Sequence, residues 1–182
     1  LGVDANGGWS PGQAATTIPR LLEYDLKFVE QPVPALDMAW MTDVRARTPL
    51  PIIADESLYS VQDAMALARS GAADVFSIYI GKGGGVNAAR KVAAIAEGSG
   101  LTCTIGSNLE MGIGMAAMIH LGMALPAIDS PNFPCDILSN FYYESDYLAE
   151  PLSIEPGSAR PFEKPGLGVE LDPDKIRHYR ID

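Results

Sequence analysis

The chain has 182 residues, 47% of them hydrophobic, and carries a formal net charge of −10. That length and apolar content suit one domain with a substantial core, and a surface this acidic repels nucleic acid and anionic membranes, so neither is an expected partner. No apolar run is long enough to span a bilayer and no signal peptide leads the chain, while Cys103 and Cys135 read as buried thiols of a reducing, cytoplasmic compartment.

Short apolar runs alternate with helical stretches. The run at residues 1–3 precedes a helical stretch at 11–24, which Pro11 suits as a start. The run at 28–29 leads to a helix over 38–47. The run at 52–54 leads to one over 61–70, with Ser60 as N-cap and Gly71 as terminator. The run at 75–80 leads to a helix over 86–97 ending at Gly98, and the run at 101–105 to one over 111–125. A sixth, weaker run lies at 127–128 or 136–138. Continuous apolar strands repeating every ~25 residues, with a helix between each pair, give the rhythm of a parallel sheet. Residues 150–182 break it; they are rich in proline and glycine and read as a tail wrapping a surface.

Every strand ends in chemically useful groups: Asp4 and Asn6, Glu30 and Gln31, Asp55 and Glu56, Tyr79 and Lys82, Ser107 and Asn108. A barrel gathers all its strand ends around one site, whereas an open sheet needs such groups only at its switch point. The pattern therefore predicts a barrel. Six strands fall short of the eight that closure requires, so two are expected upstream of Leu1, with the chain a piece of something longer. Asp4, Glu30 and Asp55 stand 26 and 25 residues apart, one repeat each. Three neighbouring strands then aim three carboxylates at one point, where they repel unless a cation sits among them. All-oxygen ligation suits Mg²⁺, with Mn²⁺ as a close substitute. The alternative is three ordinary loop acids, each capping the next helix.

The words DANGGWS (4–10), FVEQPVP (28–34), IIADESLYS (52–60), GKGGGV (81–86) and KPGLGVELD (164–172), in this order, resemble the enolase superfamily. The likeness is strongest to its mandelate racemase/muconate lactonizing enzyme group, and within that to the muconate-lactonizing subgroup. It implies an α/β fold, a TIM-like (β/α)7β barrel with strands three to eight present. The N-terminal capping domain and first two strands lie outside the chain. Residues 1–150 would be the later part of the barrel domain, and 151–182 a tail returning toward the cap. The resemblance further implies Mg²⁺ on Asp4, Glu30 and Asp55; Glu56, next to one of these, reads as supporting a ligand. The enzyme would be an isomerase or lyase that abstracts the proton α to a small-molecule carboxylate, stabilises the enediolate on the metal, and completes a cycloisomerisation or dehydration. A homo-oligomer is expected on the same ground. Asn6, Asn108, Glu110 and Asp136, near strand ends, are the candidate substrate contacts; by the resemblance Asn108, Glu110 and Asp136 either contact substrate or hold the base, and each reads equally as a loop hydrogen-bonder.

The family's strand-six lysine position falls on Tyr79, and Lys82 matches a second lysine before the glycines. The first is the family's base position and the second is usually not the base; both are candidate catalytic residues. By strand alternation Tyr79 faces the substrate and Lys82 does not, unless Gly81 twists the backbone. Tyr79 reads either as a donor of a proton or hydrogen bond or as a packing wall, and Lys82 either as catalytic or as a salt bridge at the rim. A phenol suits one-sided chemistry better than two-base racemisation. An amino-acid or dipeptide epimerase is thus the second reading, and a catalytically inactive metal-binding member the third. The racemase branch would place a catalytic histidine after strand seven, and the residues there, 104–108, include none, which disfavours that branch; His120 and His178 read as structural. GKGGG matches no nucleotide-binding loop. Met111, Met115 and Met118 read as a core face, and Trp9 and Trp40 as packing residues.

Overall fold

The computed structural model describes residues 1–181. Five strands form one parallel sheet in the order β1-β2-β3-β4-β5: β1 is Val3–Asp4, β2 Val29–Glu30, β3 Ile52–Ala54, β4 Val75–Ile78 and β5 Thr102–Ile105. Helices α1 (Pro11–Leu21), α2 (Met38–Arg45), α3 (Val61–Ser70) and α4 (Val86–Gly98) connect them, and α5 (Gly112–Ala124) follows β5. Strand order never reverses, and each helix packs on the next in sequence. A doubly wound sheet reverses at its switch point; this sheet winds one way only, as part of an α/β barrel does.

Alternation divides the two faces of the sheet. Val29, Ile52, Ala54, Phe76, Ile78, Cys103 and Ile105 join the core beneath the helices. Residues of opposite parity, among them Glu30, Ile53, Asp55, Ser77 and Thr104, face the other way. Caps fix the helix starts. Ser10 and Gln13 cap α1 reciprocally, and Ser60 and Asp63 do the same for α3, worth about 1 kcal/mol per cap. Gly71, at φ +64, ends α3. Helix α1 stops at Leu21 and tightens into a 3-10 turn, Leu22–Tyr24. Helix α2 stops two residues before the expected 47, because Pro49 disfavours helical backbone at Thr48.

The sixth run is both expected segments at once. Ala127 and Asp129 exchange backbone hydrogen bonds with Cys103, and Asp136 donates to Ile105 O. Between them Pro131 and Pro134 lack donors, and the chain leaves the ladder. Helix α5 is apolar all round because it is buried twice. Met118 and Leu121 join the sheet core, while Met115, Ala116 and Ile119 form a second cluster with Leu148 and Leu152. The tail packs there through a hairpin, β6 (Ser153–Glu155) with β7 (Ser158–Arg160), and carries α6 (Pro173–Tyr179). His120 donates to the tail carbonyl Leu167 O at 3.2 Å, a structural tie as expected. Trp9 and Trp40 pack against the main core. Among the described residues no helix is long and apolar enough to cross a membrane.

Candidate metal and active site

Asp4 and Glu30 are register partners on adjacent strands, and Asp55 follows β3 on the same parity as Ile53, the register partner of Glu30. The βα repeat thus delivers three acids to one rim. Their fields overlap. Burial first, then the charges of Asp4 and Asp55, pushes the Glu30 carboxyl up to about 7. Burial also raises Asp4, partly opposed by the Asn6 amide. Lys82 makes the only ion pair to these acids or to Glu56 among the described residues. At the opposite end of the strands, by contrast, Asp74 is neutralised by Arg45 at 2.6 Å and accepts Ile52 N–H.

No three His, Cys, Asp or Glu side chains among the described residues converge closely enough to hold a metal ion as they stand. Asp4 accepts the Asn6 amide N–H at 2.8 Å and the Asn6 side-chain amide at 2.9 Å. Asp55 accepts Lys82 on Oδ1 and the Tyr79 hydroxyl on Oδ2 at 2.7 Å. These bonds leave lone pairs on each carboxylate. Glu56 Oε2 is buried without a partner. An oxygen-only set with more negative charge than one ammonium offsets fits a hard divalent cation in its chemistry.

Tyr79 and Lys82 meet at Asp55, which corrects the expectation that Lys82 points away. Strand β4 ends at Ile78, and a turn closed by Gly83 N–H to Tyr79 O cancels the alternation before residue 82. The Lys82 side chain is 7% exposed and also donates to Asp55 O at 2.8 Å. Its ammonium lies 3.8 Å from the Tyr79 ring centroid and 5.0 Å from that of Tyr59. Sequence reasoning gave Tyr59 no role; the β3–α3 loop brings it there, and its only signal is an aromatic placed four residues after a presumed ligand. Burial, then donation to Asp55, raises the Tyr79 phenol far above its ordinary range. It stays protonated and acts as a donor.

The Tyr79 ring lies over Gly106, where an added Cβ would come within 2.1 Å of it. Gly106→Ala is expected to cost about 1–3 kcal/mol in urea unfolding. The part due to the ring should vanish in a Tyr79→Ala background, leaving the close approach of the added Cβ to Ser77 Oγ at 2.6 Å, and a double-mutant cycle measures the two shares.

The remaining expected residues ring the same mouth. Asn6 also reaches Glu56 Oε1 at 3.2 Å, tying two loops together. Glu110 Oε2 accepts the Ser107 hydroxyl at 2.7 Å and the Asn108 amide N–H at 2.9 Å, while its Oε1 is buried without a partner. Burial, then Glu110 and Asp55, raises Asp136. Of the four non-glycine residues with positive φ among those described, Asn6, Gln31 and Leu109 follow the ends of β1, β2 and β5. Strain of this kind gathers at sites where surrounding contacts over-determine the backbone.

Residues 1–175 match a family model described as enolase C-terminal domain-like. The chain is 35% identical over 177 residues to muconate cycloisomerase 1 of Rhodococcus opacus, covering 97% of this chain and 47% of that protein. It superposes on the crystal structure of 2-chloromuconate cycloisomerase from Rhodococcus opacus 1CP with a TM-score of 0.93 at 34% identity, covering 100% of this chain and 48% of the other. A substrate-liganded L-Ala-D/L-Glu epimerase from Bacillus subtilis gives 0.85 at 32% identity, covering 93% and 46%. The chain spans about half the length of the curated relatives it matches.

Proposed function

Because the chain belongs to the enolase C-terminal domain-like family, we propose that the protein built on it is an isomerase or lyase resembling the muconate cycloisomerases. It takes the proton α to a small carboxylate and proceeds by cycloisomerisation or dehydration. The observation that carries this reading is the set of three strand-end acids on consecutive parallel strands, with Glu30 pushed up to about 7 by burial first and then by the charges of its neighbours. Asp4, Glu30 and Asp55 would hold Mg²⁺, which when bound supplies Lewis acidity toward the substrate carboxylate.

The chain's own residues divide the remaining work. Lys82 offsets the charge of Asp55 and fixes its orientation. Tyr79, held protonated, donates a hydrogen bond on the substrate side of β4 and is no base. With Tyr79 held as a donor and Lys82 paired to Asp55, abstraction is assigned to the lysine that the family carries on strand two, outside residues 1–182, which makes the chemistry one-sided and disfavours epimerisation. Asn108, Glu110 and Asp136 line the mouth for substrate, and Asn6 and Glu56 brace the Asp4 loop. One observation favours a second reading, a catalytically silent member: both oxygens of Asp55 already have partners.

The test is to incubate the full-length protein and Mg²⁺ with a panel of small carboxylates, muconate included, in D₂O and follow α-proton exchange and product by NMR. Exchange or lactone formation is expected, with turnover lowered about 10²-fold or more in Tyr79→Phe. Mg²⁺ binding without exchange on any acid favours the silent member. Unchanged turnover in Tyr79→Phe removes that residue from the mechanism.

A further inference from the structure

Gln31 is 0% exposed and holds a left-handed backbone, φ +30, which glutamine rarely adopts. Its side chain explains the strain. Oε1 accepts the Asp55 amide at 3.0 Å and the Ser57 amide at 3.2 Å. Nε2 donates to Val33 O and to Ser57 Oγ, each at 2.8 Å. Its own backbone donates to Ile53 O at 2.9 Å and accepts Gly7 N–H at 2.7 Å. One residue therefore joins the loops after β1, β2 and β3, the three loops that follow Asp4, Glu30 and Asp55. All of its hydrogen-bonding groups are used, as burial demands.

We infer that Gln31 is the positioning residue of the acid rim: it holds the three carboxylates at mutual distances their repulsion would otherwise widen. Charge repulsion supplies a force to separate these loops, and neither Lys82 nor Asn6 spans all three. Only a neutral side chain with both a donor and an acceptor end suits the place. Glutamate would add another acid and lose the donor; methionine would fill the volume and lose every side-chain hydrogen bond, keeping only the backbone bonds to Ile53 and Gly7. The consequence for ion binding rests on the function proposed above, but the staple itself does not.

The test uses the full-length protein and the variants Gln31→Met and Gln31→Glu, with two readouts. The first is amide hydrogen exchange without added metal. Exchange at Asp55 and Ser57 is expected to quicken at least about tenfold in Gln31→Met, while Ile52, whose amide is held by Asp74 below the sheet, stays at its wild-type rate. Gln31→Glu, which keeps the acceptor oxygen, should leave Asp55 and Ser57 closer to wild type. The second readout is Mn²⁺ affinity by electron paramagnetic resonance, expected to fall about 10–100-fold in both variants. Equal acceleration at Asp55, Ser57 and Ile52 overturns the inference, since it reports global loss of stability. If Gln31→Met does not fold, wild-type Mn²⁺ affinity in Gln31→Glu, which loses the donor end, overturns it as well. Failure of the wild type to bind Mn²⁺ strikes the proposed function instead, and the exchange readout still decides the staple.

Discussion

Lys82→Met is expected to destabilise the metal-free chain by about 3–5 kcal/mol, a fall of roughly 6–20 °C in Tm for a chain of this size. Lys82 and Asp55 are 7% and 8% exposed at their side chains, so this is a buried pair. Burying the pair contributes little by itself, because desolvation cancels much of the attraction; removing one partner strands the other charge. Here the stranded charge is Asp55, already repelled by Asp4 and Glu30. Methionine retains the apolar stem against the Tyr59 and Tyr79 rings, so lost packing is a minor part of the effect. The Tyr79 hydroxyl still donates to Asp55 but brings no charge. Urea and thermal unfolding measure the loss. Mg²⁺ should restore more stability to the variant than to the parent, because the ion then supplies the missing positive charge. A loss below about 1 kcal/mol would mean that the pair is solvated and Asp55 unstrained.

What could be read from the sequence was what is decided locally. Helix α3 runs over Val61–Ser70 as expected because Ser60, Asp63 and Gly71 set its ends within a single turn of each. The order Asp4, Glu30, Asp55 was legible because one acid closes each βα repeat, and a repeat is a local pattern. Non-local pairing was harder. The sixth run could not be assigned to 127–128 or 136–138 because both pair with β5, on either side of a proline-rich excursion. The methionine face of α5 read as one core surface, yet Met115 packs under the tail and Met118 on the sheet. A helix apolar all round has no periodicity to say which side meets which partner. Lys82 was misdirected because alternation holds only while the strand lasts, and no residue type marks Ile78 as its end. Gln31 stood in plain sight after Glu30, but its bonds to Asp55 and Ser57 cross 24 and 26 residues of chain.

Glu30→Gln should move stability and ion binding in opposite directions. In the folded chain the Glu30 carboxyl titrates at about 7, against 4.5 ordinarily. An acid raised in the folded state keeps a proton that the unfolded chain releases, so the native state binds more protons between pH 4.5 and about 7 and stability falls as pH rises through that window. At 1.36 kcal/mol per pH unit, the decline from this group is at most about 3 kcal/mol, complete above pH ~7 and absent below pH ~4.5. Glutamine has no proton to lose. The variant, free of metal, should be about 1–3 kcal/mol more stable than its parent at pH 8 and nearly equal to it at pH 4.5, with that part of the pH slope gone. Its Mn²⁺ affinity should fall about 100-fold or more, since losing even a residue behind the ligands costs 10–100-fold. Saturating Mg²⁺ should flatten the parent's pH slope and leave the variant's alone. A site kept charged for an ion is a strained site without one, and stability gained as binding is lost is the signature of that strain. A variant less stable than its parent at pH 8, with the slope unchanged, would show that Glu30 bears no such strain and would remove the electrostatic reason for placing an ion among the three acids.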